Sequence, residues 1–210
     1  MKNNYFDSSP ETEYGYINSN QFSANPNPHN RFWVAENFYN DPEAVREFAL
    51  MQWYHDDPGY LGIRTRKQFF FEGVKEKIQD IMNKTITKWE DYEMNGRFQS
   101  SKAGIKPVYH CDSQQYAAAV YLTPDAPTEA GTCFYMHKES KLRGGEANIM
   151  EAFNQHTFVD STPYVKVDEV GNIFNRIVIW DARLIHAAPV YFGWDVNSSR
   201  LFQLFFFDAK

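Results

Sequence analysis

The 210-residue chain carries 21 Lys and Arg against 27 Asp and Glu, a formal net charge of -6, so there is no overall electrostatic reason for it to bind nucleic acid, which needs a basic footprint. Its length suits one domain with a sizeable core, and an aromatic content of 17% favours a β-rich one. The N-terminus lacks the apolar stretch of a secretion signal and the chain has no run of 18 apolar residues, so a soluble cytoplasmic protein that does not enter a membrane is expected.

Residues 1–30 are rich in Asn, Ser, Pro and Tyr without a period and read as an N-terminal arm, ahead of a single domain over 31–210. Arg31-Phe32-Trp33-Val34 reads as a short strand. Asp41-Pro42-Glu43 then supplies an N-cap, a proline at the first helical position and an acidic first turn, which predicts a helix from about Pro42 to Tyr54. A second helix is expected from about Phe71 to Trp89, because Val74, Ile78, Ile81, Met82, Thr85, Ile86 and Trp89 form one stripe. Residues 40–90 are thus helical support, and strands begin after the Asn95-Gly96 turn signal, giving a barrel core over 95–208.

Strands are predicted over Arg97–Ser100, Gln114–Thr123, Gly131–His137, Tyr164–Val170, Asn175–Trp180, Leu184–Val190 and Arg200–Phe207. Residues 138–163 interrupt this pattern with Gly144-Gly145 and a short helical stretch from Ala147 to Phe153, and an insertion of that length in a compact domain reads as a lid at the mouth of a site. Many short strands with helices gathered at one end predict a mainly β fold with N-terminal helices, a double-sheet jelly roll.

Two H-x-D tripeptides occur. His55-Asp56-Asp57 ends a helical stretch and runs into the Pro58-Gly59 turn with no strand beside it, which is a poor setting for ligands. His110-Cys111-Asp112 lies between apolar Val108 and the run from Tyr116 to Leu122, the setting of a strand mouth. With the later His186 it supplies two imidazoles and one carboxylate, a ligand set that leaves one face of a metal open and suits a non-heme iron. Arg200 follows His186 by fourteen residues, one strand and turn later, where its planar fork can pair with a carboxylate in the same barrel. Alternation turns Cys111 away from the metal, and Cys111 and Cys133 fit neither a disulfide framework nor a paired zinc motif.

The order of His110-x-Asp112, the strand end Val120-Tyr121-Leu122-Thr123, Ala130-Gly131-Thr132-Cys133-Phe134, His186 and Arg200 resembles the Fe(II)/2-oxoglutarate-dependent oxygenases. Within them it is most similar to small prolyl 4-hydroxylase-like members, including phage and marine bacterial ones. The resemblance covers roughly residues 95–208 and implies a double-stranded β-helix, cupin-like in outline, with Fe(II) on His110, Asp112 and His186. It implies 2-oxoglutarate and O2 as co-substrates, with ascorbate as an optional reductant, and Arg200 as the anchor for the distal carboxylate of 2-oxoglutarate, helped by the Tyr121 phenol. Many relatives carry Ser or Thr two residues after the Arg, where this chain has Phe202.

The activity implied is hydroxylation of an unactivated C–H bond, in a peptide prolyl residue or a small molecule, with oligomeric state left open. His137 is a rival ligand or a residue of the substrate mouth, and Lys138, Lys141 and Arg143 form a small basic rim that would attract an anionic substrate group. A metal-dependent hydrolase or isomerase on a cupin-type barrel, and a non-catalytic jelly-roll binding protein, remain open alternatives because a fold hosts many functions.

Overall fold

A computed structural model describes residues 31–56, 62–144 and 159–210. The arm over 1–30, the Pro58-Gly59 turn and the expected helix from Ala147 to Phe153, with most of the lid, lie outside the described residues. The elements are β1 (Phe32–Ala35), α1 (Pro42–Leu50), β2 (Tyr54–Asp56), β3 (Ile63–Thr65), α2 (Val74–Met82), β4 (Ile86–Lys88), β5 (Phe98–Ser101), β6 (Tyr116–Tyr121), a 3-10 turn (Thr128–Ala130), β7 (Thr132–His137), β8 (Tyr164–Val170), β9 (Ile177–Asp181), β10 (His186–Ala187) and β11 (Arg200–Ala209).

Both helices stop earlier than their apolar stripes suggest. Asp41 caps α1 by accepting from the Ala44 amide at 3.0 Å, but the helix ends at Leu50 and the chain turns into β2, where His55 pairs with Arg64 of β3. The first H-x-D therefore begins in a strand, correcting the expectation that no strand adjoins it. In α2 the left-handed conformation of Asn83, with φ 52, ends the helix, a conformation that Asn tolerates better than most residues. Ile86 and Trp89 still reach the same core, from β4 and the turn after it.

All strand pairs are antiparallel. The larger sheet has the order β1-β9-β6-β11-β5-β3-β2 with β4 also on β11, and the smaller has the order β10-β7-β8. Single bridges join His110 and Gly144 to the segment around β10. This two-sheet, mainly β arrangement is the expected jelly roll. The His186 strand is shorter than predicted, two residues rather than seven.

The larger sheet is apolar on both faces, and alternation along each strand separates two cores. Ala118, Val120 and Leu122, with Ile177, Ile179, Leu201, Phe205 and Phe207, face α1 and α2. Ala117, Ala119 and Tyr121, with Val178, Trp180, Phe202 and Leu204, face Phe134 of the smaller sheet. The inward alanines of β6 keep the floor between the sheets low, which leaves room for a cavity there. At the helix-side core Phe205 is fully buried and stacks on Trp89 at 5.6 Å.

Phe205→Ala is expected to cost about 3–5 kcal/mol of folding stability through the lost burial and the hole left behind, whereas Asp41→Ala should cost about 1 kcal/mol through the lost cap. Urea unfolding of the two variants beside the parent checks both the sizes and their order.

Candidate metal centre and its cavity

The smaller sheet and the loop before β6 bring the three expected ligands together. His110 and His186 face each other in an antiparallel bridge, with the His110 amide donating to the His186 carbonyl at 3.1 Å and the reverse bond at 2.9 Å. The Asp112 amide donates to the Ala182 carbonyl at 2.8 Å, which seats the carboxylate beside the pair. Ligand atoms of His110, Asp112 and His186 all lie within 4.8 Å of one another, and this is the one such group of three or more metal-ligating side chains among the described residues.

The ring nitrogens are sorted by the backbone. His110 Nδ1 lies 2.9 Å from the Val108 carbonyl and His186 Nδ1 lies 2.8 Å from the Leu184 carbonyl. A carbonyl only accepts, so each Nδ1 carries the proton and each Nε2 is left with its lone pair. Those Nε2 atoms point at Asp112, at 3.8 Å from Oδ1 for His110 and 3.4 Å from Oδ2 for His186. Burial, helped by the neighbouring His186, pushes the His110 imidazole down to about 4. Burial pushes the Asp112 carboxyl up, but the hydrogen bond and charge of His186, together with His110 and Arg64, outweigh it and leave the group below its usual range. Both shifts favour the forms that bind a metal, a neutral His110 imidazole and an ionised Asp112 carboxylate.

The triad opens into a cavity of about 620 Å³ between the sheets, lined also by Arg64, Gln99, Thr132, Trp180, Arg200 and Phe202. Arg200 is buried, donating from Nε to the Ala130 carbonyl at 2.7 Å and from Nη2 to the Gly131 carbonyl at 3.2 Å. Its guanidinium stands 4.2 Å from the Phe202 ring centre and 5.3 Å from that of Tyr121. Phe202, at the position where a hydroxyl residue would be expected, is thus the aromatic face on which the cation rests. Gly131 is required for this arrangement, since a Cβ there would lie 1.9 Å from the Val170 carbonyl oxygen.

Tyr121 sits one layer behind the wall. It is fully buried, its hydroxyl lies 2.8 Å from Thr132 Oγ1, and Thr132, not Tyr121, lines the cavity. His137, Lys138 and Arg143 are also absent from the described lining. His137 Nδ1 meets Ser140 Oγ at 2.8 Å, Lys138 donates to the Thr162 carbonyl at 2.5 Å, and Arg143 pairs with Asp168. Cys111 borders the cavity and also packs on the Tyr109, Tyr135 and Tyr164 cluster. Arg64, Gln99 and Thr132 were not singled out by sequence patterns, because a single polar residue in a strand carries no motif of its own.

Below neutral pH both His110 and Asp112 bind fewer protons in the folded chain than in the unfolded one, so stability rises with pH. The metal-free protein is expected to lose stability as pH falls from 6.5 toward about 4, the window of His110, with Asp112 adding a loss below 3.8. Urea midpoints measured across that range check this, and His110→Gln should flatten the upper part of the curve.

No protein-family model matches the sequence, and no curated protein sequence does. The fold does have solved counterparts. HygX from Streptomyces hygroscopicus, in its structure with nickel, 2-oxoglutarate and hygromycin B bound, superposes with a TM-score of 0.55 at 13% identity, over 82% of this chain and 80% of that one. The same protein with nickel and 2-oxoglutarate gives 0.54 at 14% identity over the same shares. With iron bound it gives 0.52 at 13% identity, again over those shares. At these identities the likeness is one of fold, and the chain described here has the double-stranded β-helix fold of HygX.

Proposed function

We propose that the chain is a non-heme Fe(II)/2-oxoglutarate-dependent dioxygenase that hydroxylates an unactivated C–H bond in a small molecule or in a prolyl residue of a peptide. The observation that carries this reading is the convergence of two imidazole Nε2 atoms and one carboxylate at a cavity that a buried arginine also lines. The donor set fits the metal, since two neutral imidazoles and one carboxylate on one face are what a non-heme Fe(II) centre of this kind takes. The 2-oxoglutarate and hygromycin B bound by HygX on the same fold support the reading.

When bound, iron with 2-oxoglutarate and dioxygen supplies the oxidation, one oxygen atom going to the substrate C–H carbon and the other to succinate as CO2 leaves. The chain's own residues bind and orient. His110 and His186 offer Nε2 because the Val108 and Leu184 carbonyls hold the opposite ring nitrogens, an arrangement that fixes ring direction as well as tautomer. Arg200 takes the distal carboxylate of 2-oxoglutarate. The carbonyls of Ala130 and Gly131 account for one N–H each on Nε and Nη2, and a guanidinium carries five donors, so capacity remains for a charge-assisted fork. Thr132 presents the wall beside it, held from behind by the neutral Tyr121 phenol. Trp180, Phe202, Leu204 and Phe206 add apolar side chains to the lining, and a polar contact beside them is stronger than the same contact in open water.

Anaerobic titration of Fe(II)-loaded protein with 2-oxoglutarate should raise a weak visible metal-to-ligand band. Arg200→Ala should keep iron and bind 2-oxoglutarate at least about 30-fold more weakly, as expected when one partner of a buried charge pair is removed, and His186→Ala should lose both. No band in the parent would favour the hydrolase or binding-protein alternatives, and an unchanged titration in Arg200→Ala would remove Arg200 as the anchor.

A further inference from the structure

We infer that the Tyr191 hydroxyl, from the connection between β10 and β11, is the donor that joins Arg200 on the distal carboxylate of 2-oxoglutarate, in the place that the resemblance gives to the Tyr121 phenol. The inference rests on the oxygenase reading and adds to it a residue that no motif singles out.

A chain reversal brings Tyr191 to Arg200. Gly193 has φ 72, in the left-handed region that glycine adopts freely. A Cβ at that position would lie 2.2 Å from the Ser198 carbonyl oxygen and 2.5 Å from the Ser199 amide nitrogen, so the chain doubles back with residues 193 and 199 side by side. The Ser199 amide donates to the Asp195 carbonyl at 3.0 Å, and the Gly193 carbonyl accepts from the Ala103 amide at 2.9 Å, which pins the reversal to the end of β5. Tyr191 precedes Gly193 by two residues and Arg200 follows Ser199 directly. The two therefore enter one region from opposite arms of the reversal, and both line the cavity.

The Tyr191 hydroxyl has its hydrogen to give. Among the described residues no group hydrogen-bonds it, and it is not one of the buried polar atoms sealed off without a partner. Burial pushes this phenol up, against the opposing charge of Arg200, so it keeps its proton at neutral pH and can donate. Tyr121 is placed differently, since it is fully buried and its hydroxyl is bonded to Thr132 Oγ1.

The anion has room for this donor. A carboxylate offers about four lone-pair sites, and a planar fork from Arg200 fills two of them. Two of the Arg200 nitrogens already give a hydrogen to the Ala130 and Gly131 carbonyls, and Phe202 stands where a hydroxyl residue would be expected two positions on. A carboxylate taken out of water and left short of donors is costly. A neutral O–H across from the guanidinium meets that need without placing a second positive charge in the cavity.

The test uses anaerobic Fe(II)-loaded full-length protein and the visible metal-to-ligand band. It is titrated with 2-oxoglutarate and, separately, with 2-oxobutanoate, which keeps the 2-oxo acid but lacks the distal carboxylate. Tyr191→Phe is expected to weaken 2-oxoglutarate about tenfold or more, the size of a lost hydrogen bond to a charged group, with 2-oxobutanoate binding and the melting temperature unchanged. Tyr121→Phe should weaken 2-oxoglutarate less. The inference is overturned if Tyr191→Phe titrates with 2-oxoglutarate like the parent, if it loses both acids alike, or if Tyr121→Phe has the larger effect. A parent that gives no band with 2-oxoglutarate would overturn the oxygenase reading and this inference with it, whereas a parent that binds and an unchanged Tyr191→Phe would remove Tyr191 alone.

Discussion

The reciprocal backbone hydrogen bonds between His110 and His186 are the contact on which the rest of the centre depends. They join the loop ahead of β6 to the two-residue strand β10, segments far apart in the chain. Once that bridge forms, the carbonyls two residues upstream of each histidine fall where they can take the Nδ1 protons. One backbone pairing thereby sets the distance between the rings, their tautomers and the direction of both Nε2 atoms. Asp112 joins through its amide bond to Ala182, in the turn that leads from β9 toward His186.

That geometry would be useless without space in front of it, and the space comes from the larger sheet. Its central strands are apolar on both faces, so the run Tyr116–Tyr121 serves two cores at once. On the helix side bulky residues fill the volume, including Phe98, Phe205 and Ile78. On the other side Ala117 and Ala119 leave the floor low. Of these alanines Ala119 lines the cavity, with Trp180, Phe202 and Leu204 of the neighbouring strands around it.

The two arginines that line the cavity, one buried and one half-buried, show how a cation is held there. Arg200 spends donors on the Ala130 and Gly131 carbonyls and rests on aromatic faces, and that contact exists only because Gly131 lets the backbone run close to Val170. Arg64 is supported instead by Gln99 and Met94. A buried charge with its hydrogen bonds met costs far less than one without, and in both cases the support comes from elements distant in sequence.

The sequence by itself determined the class of fold and picked out His110, Asp112 and His186, which the fold brings together, and Arg200, which lines the same cavity. Period-two alternation and turn signals mark most of the strands, and the spacing of His110, Asp112, His186 and Arg200 singles them out together. The tertiary structure decided the rest. It ended both helices early, brought Thr132 to the wall in front of Tyr121, placed His137, Lys138 and Arg143 off the described cavity lining, and brought Arg64 and Gln99 onto it. The physical reason is that periodicity reports only which face of an element is apolar, a local property. What lines a cavity depends on strand register across a sheet, and register is set by contacts between residues that no local pattern relates.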